Sequence, residues 1–242
     1  MTKGADFFSK DTDGDGRSIR VTQSRDGLVI KRTYYKYNES GGLLRRKRVT
    51  VVEFNSDHAA GTPSLRLRTT IYGYYPDNIE QNPNDPRNTK LWYIVKPEGV
   101  KRYLTDGHLD EGVDPDPLGS ATADDDGPLQ SCGLDDTNTA ADADLLDYAS
   151  TVFENYDNQG RVTQMKSHGG GCCGGGGEGT YTIAYGPASP TGTGWNTWRT
   201  WRRIEAPSDL RTVEFYNEHG SIVYRVVQEM SGGTVAKTWI TH

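Results

Sequence analysis

Three short stretches of this 242-residue chain share one grammar: an aromatic residue, an Asn or Asp, two variable residues, then Gly. They are Tyr37-Asn38-Glu39-Ser40-Gly41, Tyr156-Asp157-Asn158-Gln159-Gly160 and Tyr216-Asn217-Glu218-His219-Gly220. Each is bordered by residues of strand character, such as Arg32-Thr33-Tyr34-Tyr35, Arg161-Val162-Thr163 and Thr212-Val213-Glu214-Phe215. A chain reversing between strands needs a residue that tolerates positive φ, which Gly supplies, and an Asx side chain closes the turn on its own backbone. The pattern therefore predicts three hairpin turns. Recurrence at three places indicates an internal repeat, which confines the chain to architectures built of successive similar units.

A second element accompanies these turns. Arg25-Asp26-Gly27 lies before the first, Pro97-Glu98-Gly99-Val100-Lys101-Arg102-Tyr103 sits in mid-chain, and Ala206-Pro207-Ser208-Asp209 precedes the third by one strand length. One unit thus reads as turn, strand, Tyr-Asn/Asp-x-x-Gly turn, strand. On these residues the chain resembles the YD-repeat, or Rhs-repeat, family of bacterial surface and secreted proteins. Tyr156-Asp157-Asn158-Gln159-Gly160-Arg161-Val162-Thr163 follows that family's Tyr-Asp-x-x-Gly-Arg-hydrophobic-Thr pattern at every fixed position. The first and third turns carry Asn for Asp and lack the Arg after Gly. The resemblance extends over a little over half of the chain, approximately residues 25–50, 90–103, 148–186 and 195–230.

Composition agrees with an all-β chain whose aliphatic core is thin. Only 33% of residues are hydrophobic, and aromatics make up 10%. Helical pattern is weak, the one helix-like stretch being Ala140 to Ala149. No run approaches the ~20 apolar residues of a membrane helix, so no membrane span is expected. The N-terminus lacks signal-peptide architecture. Val235 to His242 reads as a strand opening a further unit, so the chain is expected to be part of a longer polypeptide.

Charge is sharply segregated. Between Tyr103 and Gly160 there are 15 Asp and Glu and no Lys or Arg, while all 27 basic residues lie outside that stretch. Residues 104–147 accordingly read as an acidic insert between N-terminal repeats (1–103) and C-terminal repeats (148–242). High charge with Pro and Gly suits a solvated loop; the alternatives are that it takes up calcium or docks on a basic face such as Arg45-Arg46-Lys47-Arg48 or the Arg199-Thr200-Trp201-Arg202-Arg203 cluster. The net charge of −6 argues against nucleic acid as a partner.

Two further stretches bear on chemistry. Asp11-Thr12-Asp13-Gly14-Asp15-Gly16 resembles the opening half of a calcium loop, with carboxylates at alternate positions and Gly at the sixth; Thr22 stands where the bidentate acid belongs. Asp11, Asp13 and Asp15 are therefore either calcium ligands or a plain acidic turn. No cofactor is expected, apart from calcium if this turn binds it. Cys172 and Cys173 lie within a Gly run, and Cys132 lies in the acidic insert. Export would favour a disulfide from Cys132 to one of the pair; a flexible Gly loop is the other reading, and a Cys3His zinc set with His168 needs a coincidence of fold. None of the five His stands in a hydrolase or metalloprotease spacing, and no phosphate loop or Gly-x-Ser-x-Gly occurs, so the chain is read as non-enzymatic.

The fold implied by the resemblance is a curved, mostly antiparallel sheet of successive hairpins, part of a spiralling shell. The function implied is structural: a segment of a large exported protein, extracellular or at the cell surface, whose shell encloses a toxin cargo or makes contact with other cells. Its immediate partners would be neighbouring repeats of the same polypeptide. The competing reading is a free-standing, calcium-dependent, carbohydrate- or surface-binding β module using Trp195, Trp198 and Trp201. Their odd spacing alternates sheet faces, which weakens that platform.

Overall fold

A computed structural model describes residues 6–26, 28–40, 42–54, 65–76, 82–106, 141–168, 179–187 and 197–241. The chain is all-β, with two short helices among its described residues, and divides into two compact units. One comprises residues 1–83 and 88–150, the other 84–87 and 151–242. The described ends of the acidic insert, 104–106 and 141–147, fall in the first of these.

In the first unit the strands are β1 (Asp6–Thr12), β2 (Ser18–Arg25), β3 (Leu28–Ser40), β4 (Leu43–Phe54), β5 (Leu65–Tyr74) and β6 (Leu91–Val95). Each pairs antiparallel with the next in chain order. Strand β4 shows why the pattern holds: Arg46, Arg48, Thr50 and Val52 are buried, while the residues between them are only half-buried. Alternation with period two sends successive side chains to opposite faces. The buried row continues across the sheet by direct pairing, Arg48 opposite Ile71 and Ile71 opposite Val95, with Arg46 opposite Gly73 and Gly73 opposite Tyr93.

Two helices complete this face: α1 (Pro97–Thr105) and α2 (Asp142–Leu146). Ile71, Tyr93, Val95, Leu145 and Ala149 are wholly inaccessible to solvent, with Val100 and Tyr103 close to it. The Pro97 stretch was expected to form a repeat turn, and the structure corrects this. Lys96 is extended, Pro97 opens the helix where its missing N–H costs nothing, and Glu98 and Arg102 complement the helix dipole at its two ends. Gly99 is needed because a Cβ there would lie 2.3 Å from the Tyr148 carbonyl oxygen. The Tyr103 ring meets Tyr148 edge-on with centroids 5.3 Å apart. Tertiary packing thus makes a helix of a segment whose Pro-Glu-Gly opening has turn character.

The second unit holds β7 (Thr151–Tyr156), β8 (Val162–Ser167), β9 (Gly179–Pro187), β10 (Thr200–Glu205), β11 (Leu210–Tyr216), β12 (Ile222–Ser231) and β13 (Thr234–Thr241). Again each strand pairs antiparallel with its successor. Among the described residues of this unit no apolar side chain is fully buried; Glu214 is the buried one. One face carries a row of rings instead: Trp201 lies opposite Phe215, and Phe215 opposite and stacked on Tyr224 at 4.3 Å, with Trp198 edge-on to Phe215 at 4.9 Å.

Candidate functional site

The turn between β7 and β8 is closed by backbone and side-chain bonds together. Asp157 donates its N–H to the Arg161 carbonyl (2.9 Å), and Gly160 donates to the Asp157 carbonyl (2.8 Å) with φ of +75°. The Asp157 carboxylate Oδ1 accepts from the backbone N–H groups of Gln159 and Arg161, both at 2.9 Å. Its Oδ2 accepts from Arg161 Nε at 2.8 Å. The guanidinium so positioned lies over the ring of Tyr185, 4.4 Å from its centroid, and the Tyr185 hydroxyl donates to the Val162 carbonyl at 3.0 Å. Tyr185 stands on β9, so the turn of one hairpin is clasped by the strand that follows it.

The same arrangement recurs between β1 and β2, where the sequence showed no Tyr-Asp signature. Asp13 donates to the Arg17 carbonyl (2.9 Å), Gly16 donates to the Asp13 carbonyl (3.0 Å) and has φ of +77°. Asp13 Oδ1 accepts from the N–H groups of Asp15 (3.0 Å) and Arg17 (2.8 Å), and Oδ2 from Arg17 Nε (2.8 Å). Arg17 lies 4.8 Å from the centroid of the Tyr37 ring, and the Tyr37 hydroxyl donates to the Ser18 carbonyl at 3.1 Å. Atom for atom this is the Asp157 clasp, with Thr12 in place of the leading Tyr. The signal was legible: Asp13-Gly14-Asp15-Gly16-Arg17 matches Asp157-Asn158-Gln159-Gly160-Arg161 at Asp, Gly and Arg.

The third turn is a reduced form. Asn217 Oδ1 accepts from the N–H groups of His219 (3.0 Å) and Ser221 (2.9 Å), and Gly220 has φ of +77°. Ser221 stands where the clasping Arg would be, so the backbone closure remains and the ionic half is missing. Tyr216 instead donates to Glu214 Oε2 at 2.6 Å. The stretch Tyr37-Asn38-Glu39-Ser40-Gly41 differs again. Strand β3 runs through to Ser40, Tyr37 pairs with Lys47 and Asn38 with Arg46, and Ser40 pairs with Leu43. The reversal therefore falls after Ser40, with Gly42 at φ of +79°. Tyr37 works on the preceding turn, while Gly41 lies outside the described residues.

Electrostatics favour the ionised clasp. Desolvation pushes the Asp157 carboxyl upward, but the Arg161 N–H, its guanidinium and the Gln159 N–H outweigh it and hold the group below the usual carboxylate range. The same balance, with Arg17 and Asp15 as donors, lowers Asp13.

Two further ionic nodes stand on the sheets. Glu214 sits between Arg202 and Arg225 on the neighbouring strands, accepting from Arg202 Nε (3.0 Å) and Arg225 Nε (3.0 Å) besides Tyr216. Burial raises its carboxyl, these three donors more than offset that, and the net shift is downward. The Tyr216 phenol is pushed up to about 12 by burial and by the Glu214 carboxylate. In the first unit, Asp142 at the start of α2 accepts from Arg46 (2.7 Å) and from the Tyr93 hydroxyl (2.6 Å). Burial, then that carboxylate, raise the Tyr93 phenol.

The carboxylates of Asp11, Asp13 and Asp15 are turned to arginines: Asp11 to Arg20 at 2.6 Å, Asp13 and Asp15 to Arg17. Among the described residues no group of three or more His, Cys, Asp or Glu is arranged to hold a metal ion. Cys132, Cys172, Cys173, Trp195 and residues 107–140 of the acidic insert lie outside the described residues. In the Arg199 to Arg203 cluster, Arg202 is committed to Glu214, and Arg203 stands 3.4 Å from Glu205. No described helix is long and apolar enough to cross a membrane.

Comparison of the chain with models of known protein families gives no match, and comparison with curated proteins gives none either.

Proposed function

We propose that this chain is a structural segment of a YD-repeat type wall, part of a large exported β-shell that encloses a cargo or is displayed at a cell surface. The observation that carries this reading is the recurrence, once in each unit, of an Asp-x-x-Gly-Arg turn clasped by a Tyr from the following strand: Asp13, Arg17 and Tyr37, then Asp157, Arg161 and Tyr185. A clasp of this kind fixes the register of three consecutive strands from side chains close in sequence. A sheet made so is extended by adding hairpins, each needing contact only with its neighbours, which is the physical requirement for a wall. The functional role is mechanical, with the ionised clasps resisting slippage.

The terminal strands support the same reading. Phe7 and Phe8 on β1 are about two-thirds exposed, and Trp239 and Ile240 on β13 are about half exposed. Apolar edge strands of this kind are covered in working proteins by further strands or other surfaces.

The test is to sequence the encoding locus beyond residues 1 and 242 and to examine the natural polypeptide by hydrogen exchange. Further Asp-x-x-Gly-Arg units on either side, with the β1 and β13 amides protected, support the wall. A reading frame that closes on these 242 residues, with both edges exchanging freely and a calcium-dependent rise in melting temperature, overturns it in favour of a calcium-dependent module.

A further inference from the structure

Among the described strands β1 pairs with β2 alone and β13 with β12 alone. All seven residues of β1 and all eight of β13 are exposed. The free side of such a strand presents a row of N–H and C=O groups, a template on which another strand can add. Neither strand contains Pro, which would remove a donor from that row. Each carries two adjacent, exposed, large apolar residues: Phe7 and Phe8 on β1, Trp239 and Ile240 on β13. Neighbouring residues of a strand point to opposite faces, so each edge offers one apolar side chain above the sheet and one below.

The two edges fit each other in one direction only. The Phe pair stands at the start of β1 and the Trp-Ile pair at the end of β13. Laid antiparallel, Asp6 comes opposite Thr241, Phe7 opposite Ile240, Phe8 opposite Trp239, Ser9 opposite Thr238 and Thr12 opposite Val235. All of β1 is then paired and both apolar pairs coincide. Laid parallel with the same rings together, Lys10, Asp11 and Thr12 run past the end of β13 and are left unpaired. A slip of one residue either way from the antiparallel register leaves one apolar residue of each pair opposite a polar one. The like-charged pair in that register is Lys10 with Lys237, and Lys237 already has the Glu229 carboxylate at 3.3 Å.

We propose that the occupant of the β13 edge is β1 of a second copy of this chain, added antiparallel in this register. Because the two edges differ, the contact is head-to-tail, and copies so joined add in an open series unless the rotation between them closes a ring. The inference goes beyond the wall reading and does not rest on it, since that reading needs further hairpins at these edges but not a second molecule. Dilution separates the two: cover supplied within one polypeptide persists at any concentration, whereas cover by a second copy is lost.

The test is a mixing experiment read by sedimentation velocity. Phe7→Lys with Phe8→Lys blocks the β1 edge and leaves β13 open; Trp239→Lys with Ile240→Lys blocks β13 and leaves β1 open. These side chains are exposed in the single chain, so their replacement spares the fold. The natural chain should form larger species as its concentration rises. Each variant alone should sediment as one copy, and an equal mixture should form a pair holding one of each and nothing larger. In the natural chain mixed with an isotope-labelled sample, an amine-reactive linker followed by peptide mass spectrometry should join Lys10 of one copy to Lys237 of another. Association of either variant alone to the extent of the natural chain, a mixture that stays monomeric, or a natural chain that is monomeric at every concentration overturns the proposal. Should a variant fail to fold, the presence or absence of the Lys10–Lys237 link between natural copies decides.

Discussion

At each clasp one carboxylate does two separable things, and substitution can take them apart. Asp157 Oδ1 closes the backbone and Oδ2 holds Arg161. Asn retains the first function, as Asn217 demonstrates in the third turn. Asp157→Asn should therefore cost no more than about 0.5 kcal/mol, the worth of a partly exposed ion pair. Asp157→Ala leaves two N–H groups to solvent and should cost about 1 kcal/mol or more. Urea denaturation of the two variants checks the order; equal losses would show that the ion pair, not the backbone closure, holds the turn. The pH dependence follows from the lowered carboxyls of Asp13 and Asp157. Their folded-state values lie below those of the unfolded chain. The stabilisation is thus complete above the ordinary Asp value near 4 and disappears as pH falls through the lower folded value. Melting temperature measured from pH 6 down to pH 2 should drop along that limb, and less steeply in Asp157→Asn than in the natural chain. A variant as steep as the natural chain would place the acid sensitivity elsewhere.

At the scale of elements, a glycine faces an aromatic ring across a strand pair once in each unit among the described residues, and the two settings differ in how freely the ring moves. Gly73 is opposite Tyr93, and a Cβ there would lie 2.1 Å from the ring. Gly186 is opposite Trp201, with 2.4 Å. Tyr93 is wholly buried and its hydroxyl is engaged with Asp142, whereas Trp201 is half-buried. Gly73→Ala should cost about 2–3 kcal/mol by overpacking, and Gly186→Ala clearly less because the indole can swing outward. Equal losses in chemical denaturation would refute the distinction. The strands themselves were readable, because Thr, Val and Tyr alternate between Asp-Gly and Asn-x-x-Gly reversals. Helix α1 was not: Pro97-Glu98-Gly99 carries turn chemistry, and its helicity depends on Val100 and Tyr103 finding the sheet and Tyr148, contacts made across the chain. The Arg45 to Arg48 run was visible as charge. That Arg46 and Arg48 point inward depends on strand register, and Arg46 has a counterion almost a hundred residues away. The Asp13 clasp was present in the letters, but its Asp-Gly-Asp-Gly content suggested a calcium loop, and Thr12 hid the repeat.

For the molecule as a whole, the unequal distribution of buried apolar side chains governs which part can stand alone. The first unit has two layers, strands covered by α1 and α2, with Ile71, Tyr93, Val95 and Leu145 sealed between them. The second, among its described residues, is a single layer whose apolar rings remain half-exposed. A sheet is stabilised mainly by burying one of its faces against another layer, and hydrogen-bonded ladders alone contribute little net free energy over water. A fragment of residues 1–150 should thus unfold cooperatively in urea, with a slope of about 1–2 kcal/mol/M. A fragment of residues 151–242 should show a shallow, non-cooperative loss of ellipticity and bind an apolar dye before denaturant is added. Should residues 151–242 unfold as sharply as residues 1–150, without dye binding, the ladder of clasped hairpins would be self-sufficient. A wall of this kind would then need nothing packed against its faces, and its strength would reside in Asp157, Arg161, Tyr185 and the Glu214 node rather than in any buried core.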